Sequence, residues 1–171
     1  MSKIKTLLQG KGLSHPLHPA LVHLPVAAWS LSLVADLSSF FMSYGEAAGT
    51  LARMSYWLIL VGLIFAVPTA MTGLAEFVDV PPKTKARSVA WAHMSLNVFL
   101  IGAYVLQILW RVPGDVSENV LIVNGTCFVL LAISGYLGGR LVYHYRVGVR
   151  SYENPQRRTH PEDHRVLDQN H

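Results

Sequence analysis

Charged and apolar positions are segregated along this chain into long blocks. Stretches free of Asp, Glu, Lys and Arg run from Leu17 to Ala35, or to Phe41 once Asp36 is admitted, from Met54 to Ala75, from Ser88 to Trp110 and from Asn119 to Gly139. A hydrocarbon core of ~30 Å takes about 20 helical residues, so each block is long enough to span a bilayer. Four such blocks in succession are unusual for a soluble bundle. The pattern therefore predicts an all-α integral membrane four-helix bundle in residues 1–150. A polar cytoplasmic tail follows in residues 151–171. Any chemistry has to be built inside the bundle or at its rim.

Composition agrees: 51% of residues are hydrophobic and 14% charged, where a soluble domain carries about 25% charged residues. The placement of the basic residues adds an orientation. Of the 14 Lys and Arg, only Arg53 and Arg111 fall on one side of the predicted spans. Positive charge gathers on the cytoplasmic side of membrane proteins, so both termini are expected there. The net charge of +4 reflects this topology and points to no nucleic-acid partner. The first block is too long and too polar for a cleaved signal peptide, with His23 and Asp36 inside it. Cys127, the single cysteine, reads as a small buried residue. Thr159 to His164 in the tail is at most a weak metal motif. No internal repeat is visible, although histidines of the first and third blocks recur at similar depth.

Polar side chains inside a membrane mark function or pairing, because each is costly unless something satisfies it. In the third block, steps of three and four from His93 reach Asn97, Leu100, Tyr104, Gln107 and Arg111, which predicts one polar face turned into the bundle. The first block opens with His15, Pro16, His18, Pro19, His23 and Pro25. These prolines predict a folded-back interfacial segment holding His15 and His18, with His23 inside the membrane. By depth arithmetic, His23 and His93 both lie roughly 6 to 9 Å within the cytoplasmic boundary. Ala66, Ala70, Gly73 and Ala90 leave room beside them.

Two helical histidines at equal depth suit the axial positions of one b-type haem, with Lys85, Arg87 and Arg140 available to its propionates. His18 and His144 are reserve ligands. The alternative is zinc or another transition metal on His18, His23 and His93, completed by Glu76, Asp79 or His144. A third possibility is that the histidines satisfy backbone groups freed by the prolines. Asp36, about 20 Å beyond His23, predicts a separate ion pair, with Arg111 the first candidate. Gly62, Ala66 and Ala70, and Gly135 and Gly139, recur at four-residue spacing and predict close helix contacts. Trp29, Trp57, Trp91 and Trp110 read as an interfacial aromatic belt.

Taken together, the segment His15 to Pro25, Asp36, Thr72-Gly73, His93, Arg111 and Ser134 to Gly139 resemble the bacterial membrane-protein family catalogued as domain of unknown function 2231, from about Ser14 to Val149. The positions matching its pattern are His18, His23, Asp36, Gly73, His93, Arg111, Gly138 and Gly139. Some relatives carry fused Rieske or cytochrome c domains, so the resemblance implies electron transfer with a quinol or a separate redox protein as partner. The competing class is a non-redox accessory, structural or metal-handling membrane protein. Nothing here resembles a hydrolase triad, a phosphate loop or a zinc-protease motif, so a redox carrier or accessory subunit is expected rather than a stand-alone enzyme.

Overall fold

The structure is a computed structural model that describes residues 3–10, 17–42 and 45–148. His15 and the tail from Val149 onward, with its Thr159 to His164 motif, lie outside the described residues. Among the described residues six helices follow in order: α1 Lys3–Leu8, α2 Leu17–Leu21, α3 His23–Phe41, α4 Glu46–Phe77, α5 Lys85–Trp110 and α6 Glu118–Tyr143. Four spans, Leu17–Phe41, α4, α5 and α6, are long and apolar enough to cross a membrane. The hydroxyls of Thr84 and Ser117 cap α5 and α6, accepting from the backbone N–H of Arg87 and Val120, which satisfies donors that a helix start leaves open.

The first span departs from the folded-back entry that its prolines suggest. Residues from Leu17 are already helical, and Val22, between α2 and α3, keeps right-handed helical angles with its N–H bonded to the His18 carbonyl. Pro19 sits in the first turn of α2, where a missing N–H costs nothing, and Pro25 removes only the bond its N–H would have given to Leu21. One nearly continuous helix results. At 100° per residue its inner face carries His18, Val22, Pro25, Trp29, Ser32 and Asp36.

That face has a counterpart. On α5 the series His93, Asn97, Leu100, Tyr104, Gln107 and Arg111 has the same steps, each member 75 positions after its mate, the separation of Asp36 and Arg111. On α4 and α6 an offset of 65 takes Thr69 to Ser134 and Gly73 to Gly138. The bundle is thus two matching helical hairpins, α3–α4 and α5–α6, packed about an approximate two-fold axis along the membrane normal. This corrects the expectation of no repeat. The sequences differ at almost every position, and only the inner faces keep the spacing.

Residues on such an axis meet their own counterparts. Trp29 and Tyr104 stack at 4.4 Å between ring centroids, inside a buried cluster with Ile59, Ala66, Leu100, Cys127 and Leu131. Trp29 is 3% exposed, so it belongs to the core and not to an interfacial belt. Trp57, Trp91 and Trp110 remain at the surface. Gly62 is what admits the indole: a Cβ there would lie 2.2 Å from Trp29 Nε1. No comparable contact exists at Gly135, so the spacing of Gly135 and Gly139 makes no close helix contact.

Candidate cofactor site

The far end of the axis is closed by charge. Asp36 and Arg111, both with fully buried side chains, form a bidentate ion pair. Arg111 also donates to the Ser55 hydroxyl at 3.1 Å and the Ala52 carbonyl at 3.2 Å. Asn124 donates to Asp36 Oδ2 at 2.7 Å and to Ser32 Oγ at 3.2 Å, and the Tyr104 hydroxyl donates to Asn124 Oδ1 at 3.4 Å. The expected Asp36–Arg111 partnership is present, and Asn124, Ser32 and Ser55 extend it. Arg53 is exposed and bonds Thr50 instead. The Asp36 carboxylate and the Arg111 guanidinium neutralise each other within the bundle, which is what allows two charges to sit away from water, although Arg111 Nε has no hydrogen-bond partner among the described residues.

The opposite end is open. A cavity of about 160 Å³ lies between the hairpins, and His18, His93, Asn97, Glu76, Gly73 and Gly138 are among the residues lining it. His18 and His93 enter from opposite hairpins in matched settings. Nδ1 of His18 lies 3.0 Å from the Thr69 carbonyl, and Nδ1 of His93 lies 2.9 Å from the Ser134 carbonyl. A carbonyl can only accept, so in each ring Nδ1 carries a proton, and in the neutral ring Nε2 keeps a lone pair. Each ring rests on the glycine four residues after the carbonyl it uses. A Cβ on Gly73 would lie 2.9 Å from His18 Cε1, and one on Gly138 would lie 3.1 Å from His93 Cε1.

The expected pairing of His23 with His93 is not what the fold brings together. His23 is exposed on the outer surface, because five residues from His18 turn it about 140° around the same helix. His18 takes the inner position. His144 is exposed and packs edge-on against Tyr145, outside the cavity. Among the described residues no three of His, Cys, Asp and Glu converge to hold a metal ion, so His18, His23 and His93 form no metal centre. Glu76 does line the cavity, whereas Asp79 is engaged by Lys5 and Gln9 of the N-terminal segment.

The basic residues expected at haem propionates are also placed differently. Arg87 donates to the carbonyls of Phe77 and Val80 at 2.6 and 3.1 Å, with its guanidinium 3.6 Å above the Phe77 ring. It ties the α4–α5 connection and is not free for an anion. Arg140 is exposed, 6.0 Å from the Tyr145 ring centroid, and Lys85 is exposed at the start of α5.

Does a haem fit? The donors do: two imidazoles, one per hairpin, each oriented through Nδ1 by a backbone carbonyl, which is how ligating histidines are fixed. Small residues Ala66, Ala70 and Ala90 line the space between them. The enclosed volume is nearer that of a benzene-sized cavity of about 150 Å³ than the roughly 300–1,000 Å³ of drug-sized pockets. A porphyrin would exceed this space, and room for the rest of its ring would have to come from the lipid-exposed margin, where exposed Val26, Leu74 and Val98 contribute to the lining.

A membrane-spanning four-helix bundle of two matched hairpins, with paired histidines at one end of its axis and a buried ion pair at the other, defines the class of this protein. Residues 14–151 match the family described as "Predicted membrane protein (DUF2231)", and the chain belongs to that family. No curated protein and no solved structure matches it.

Proposed function

We propose that the protein is a small membrane electron-transfer protein that holds one b-type haem between His18 and His93. The observation that carries this reading is the matched anchoring of the two rings, Nδ1 on a helix carbonyl and Nε2 left with its lone pair, on opposite sides of one cavity. Two like bases cannot satisfy each other, since neither Nε2 has a proton to give. His18 and His93 would hold the haem through these two lone pairs. Bound there, it would supply one-electron transfer.

The chain's own residues have defined tasks in this scheme. The Thr69 and Ser134 carbonyls hold the rings in one tautomer, and Gly73 and Gly138 let them lie flat against α4 and α6. Trp29 lines the cavity and is held in place by its stack on Tyr104. With the positive-inside orientation, the cavity lies toward the cytoplasmic side, and a quinol or a separate redox protein is the electron partner. Purified after growth with ample haem, the full chain should show a Soret band and sharp reduced α and β bands. His18→Ala or His93→Ala should abolish the six-coordinate spectrum, and His23→Ala should leave it unchanged. A colourless protein that takes up no haemin on titration refutes the proposal and returns the histidines to a structural role. Dependence on His23 instead of His18 refutes the ligand assignment.

A further inference from the structure

The approximate two-fold makes the two halves of the cavity directly comparable, and they differ at one polar position next to the rings. Four residues after His18 stands Val22; four after His93 stands Asn97. With Nδ1 of His93 committed as a donor, its Nε2 must accept, and the Asn97 amide nitrogen lies 3.2 Å from it. The same amide nitrogen lies 2.8 Å from the His93 carbonyl and 2.8 Å from the Ser134 hydroxyl. Two N–H groups thus serve three acceptors, and the contact with Nε2 is the longest of them. At Nε2 of His18 no donor stands in hydrogen-bond contact among the described residues.

We infer that Asn97 is a positioning residue that caps the Nε2 lone pair of His93 in the ligand-free protein and releases it when a ligand enters the cavity. The inference rests on the proposed haem reading and adds an order to it: His18 is the standing ligand and His93 the second to engage. The cap has a physical reason. A half-buried acceptor inside the bundle costs less when a donor meets it. Release is cheap, because the amide keeps its two shorter bonds. The capped ring is held ready without being locked, and Val22 leaves the other ring permanently open.

The test exchanges the two equivalent positions in the full-length protein and titrates haemin, reading both affinity and the fraction of low-spin, six-coordinate haem. Asn97→Val copies Val22 and removes the competitor, so haemin affinity should rise about twofold, the lower end of the worth of one neutral hydrogen bond because the contact is shared, with a larger low-spin fraction. Val22→Asn places a cap beside His18 and should lower both by a similar factor. Should Asn97→Val fail to fold, Val22→Asn alone decides. A wild-type protein that binds haemin through His18 and His93, with both variants matching it in affinity and spin state, overturns the Asn97 inference alone. A wild-type protein that binds no haemin overturns the haem reading and this inference with it.

Discussion

The two ends of the bundle axis are built from corresponding positions of the same two hairpins, yet one end is closed and the other hollow. At the closed end the counterparts are chemically unlike, with Asp36 facing Arg111. Unlike partners complete each other, anion with cation. At the hollow end the two ring-bearing counterparts are alike. His18 and His93 present the same lone pair, turn to separate carbonyls and leave about 160 Å³ between them. Across the axis, the unlike charges form an internal pair, whereas the two like rings leave the space between them unfilled.

The largest expected effect lies at the closed end. Asp36→Asn or Arg111→Gln leaves one buried charge uncompensated, and each should cost about 3–5 kcal/mol of stability. Unfolding in detergent by heat or denaturant measures it. Exchanging the pair, Asp36→Arg with Arg111→Asp, should recover part of that loss, because the two positions are equivalent about the axis. Recovery stays incomplete, since Asn124 and Ser55 are arranged for the original polarity. If the exchanged protein is as unstable as the worse single variant, the equivalence of the two hairpins fails.

How much of this contrast is legible in the sequence follows from where the signals reside. The four spans are set by uncharged blocks and survive any uncertainty about their ends. The inner face of α5 is legible because polar residues are rare enough in a membrane helix for a three-four spacing to stand out. The Asp36–Arg111 pair follows from the scarcity of other charges at that depth. The first histidine is misassigned because proline spacing suggests a late helix start, although a proline in the first turn is tolerated. A usable signal existed: His93 precedes Arg111 by eighteen residues, as His18, and not His23, precedes Asp36. The carbonyl anchors from Thr69 and Ser134 have no sequence signature, since every residue carries that group. Trp29 is misread for a related reason. Composition places tryptophan at interfaces, and only the indole's contact with Gly62 reveals the buried slot.

A second, smaller effect sharpens the account of the middle of the axis. Gly62→Ala gains about 1 kcal/mol of helix propensity but drives a methyl into the Trp29 indole. It should be destabilising by about 1–3 kcal/mol net, the range for overpacked cores. Gly135→Ala meets no atom within 4 Å and should be neutral or slightly stabilising. Equal effects at the two glycines would remove the argument that Gly62 exists to seat Trp29.

The smallest stability effects are expected at the hollow end, where the readout is spectroscopic. Gly73→Ala and Gly138→Ala each put a methyl under a histidine ring, with first contacts at 2.9 and 3.1 Å. Either ring can shift into the cavity, so the helix-propensity gain roughly offsets the contact, and stability should change by less than about 1 kcal/mol. Shifting the ring breaks its alignment with the Thr69 or Ser134 carbonyl, which sets the direction of Nε2. Haemin affinity and the low-spin fraction should therefore fall in both variants, further for Gly73→Ala, whose contact is the shorter. Gly135→Ala on the same helix as Gly138 is the control and should bind like wild type. If all three alanine variants bind haemin as wild type does, the rings are not held by their glycine seats, and the carbonyl anchors alone orient them.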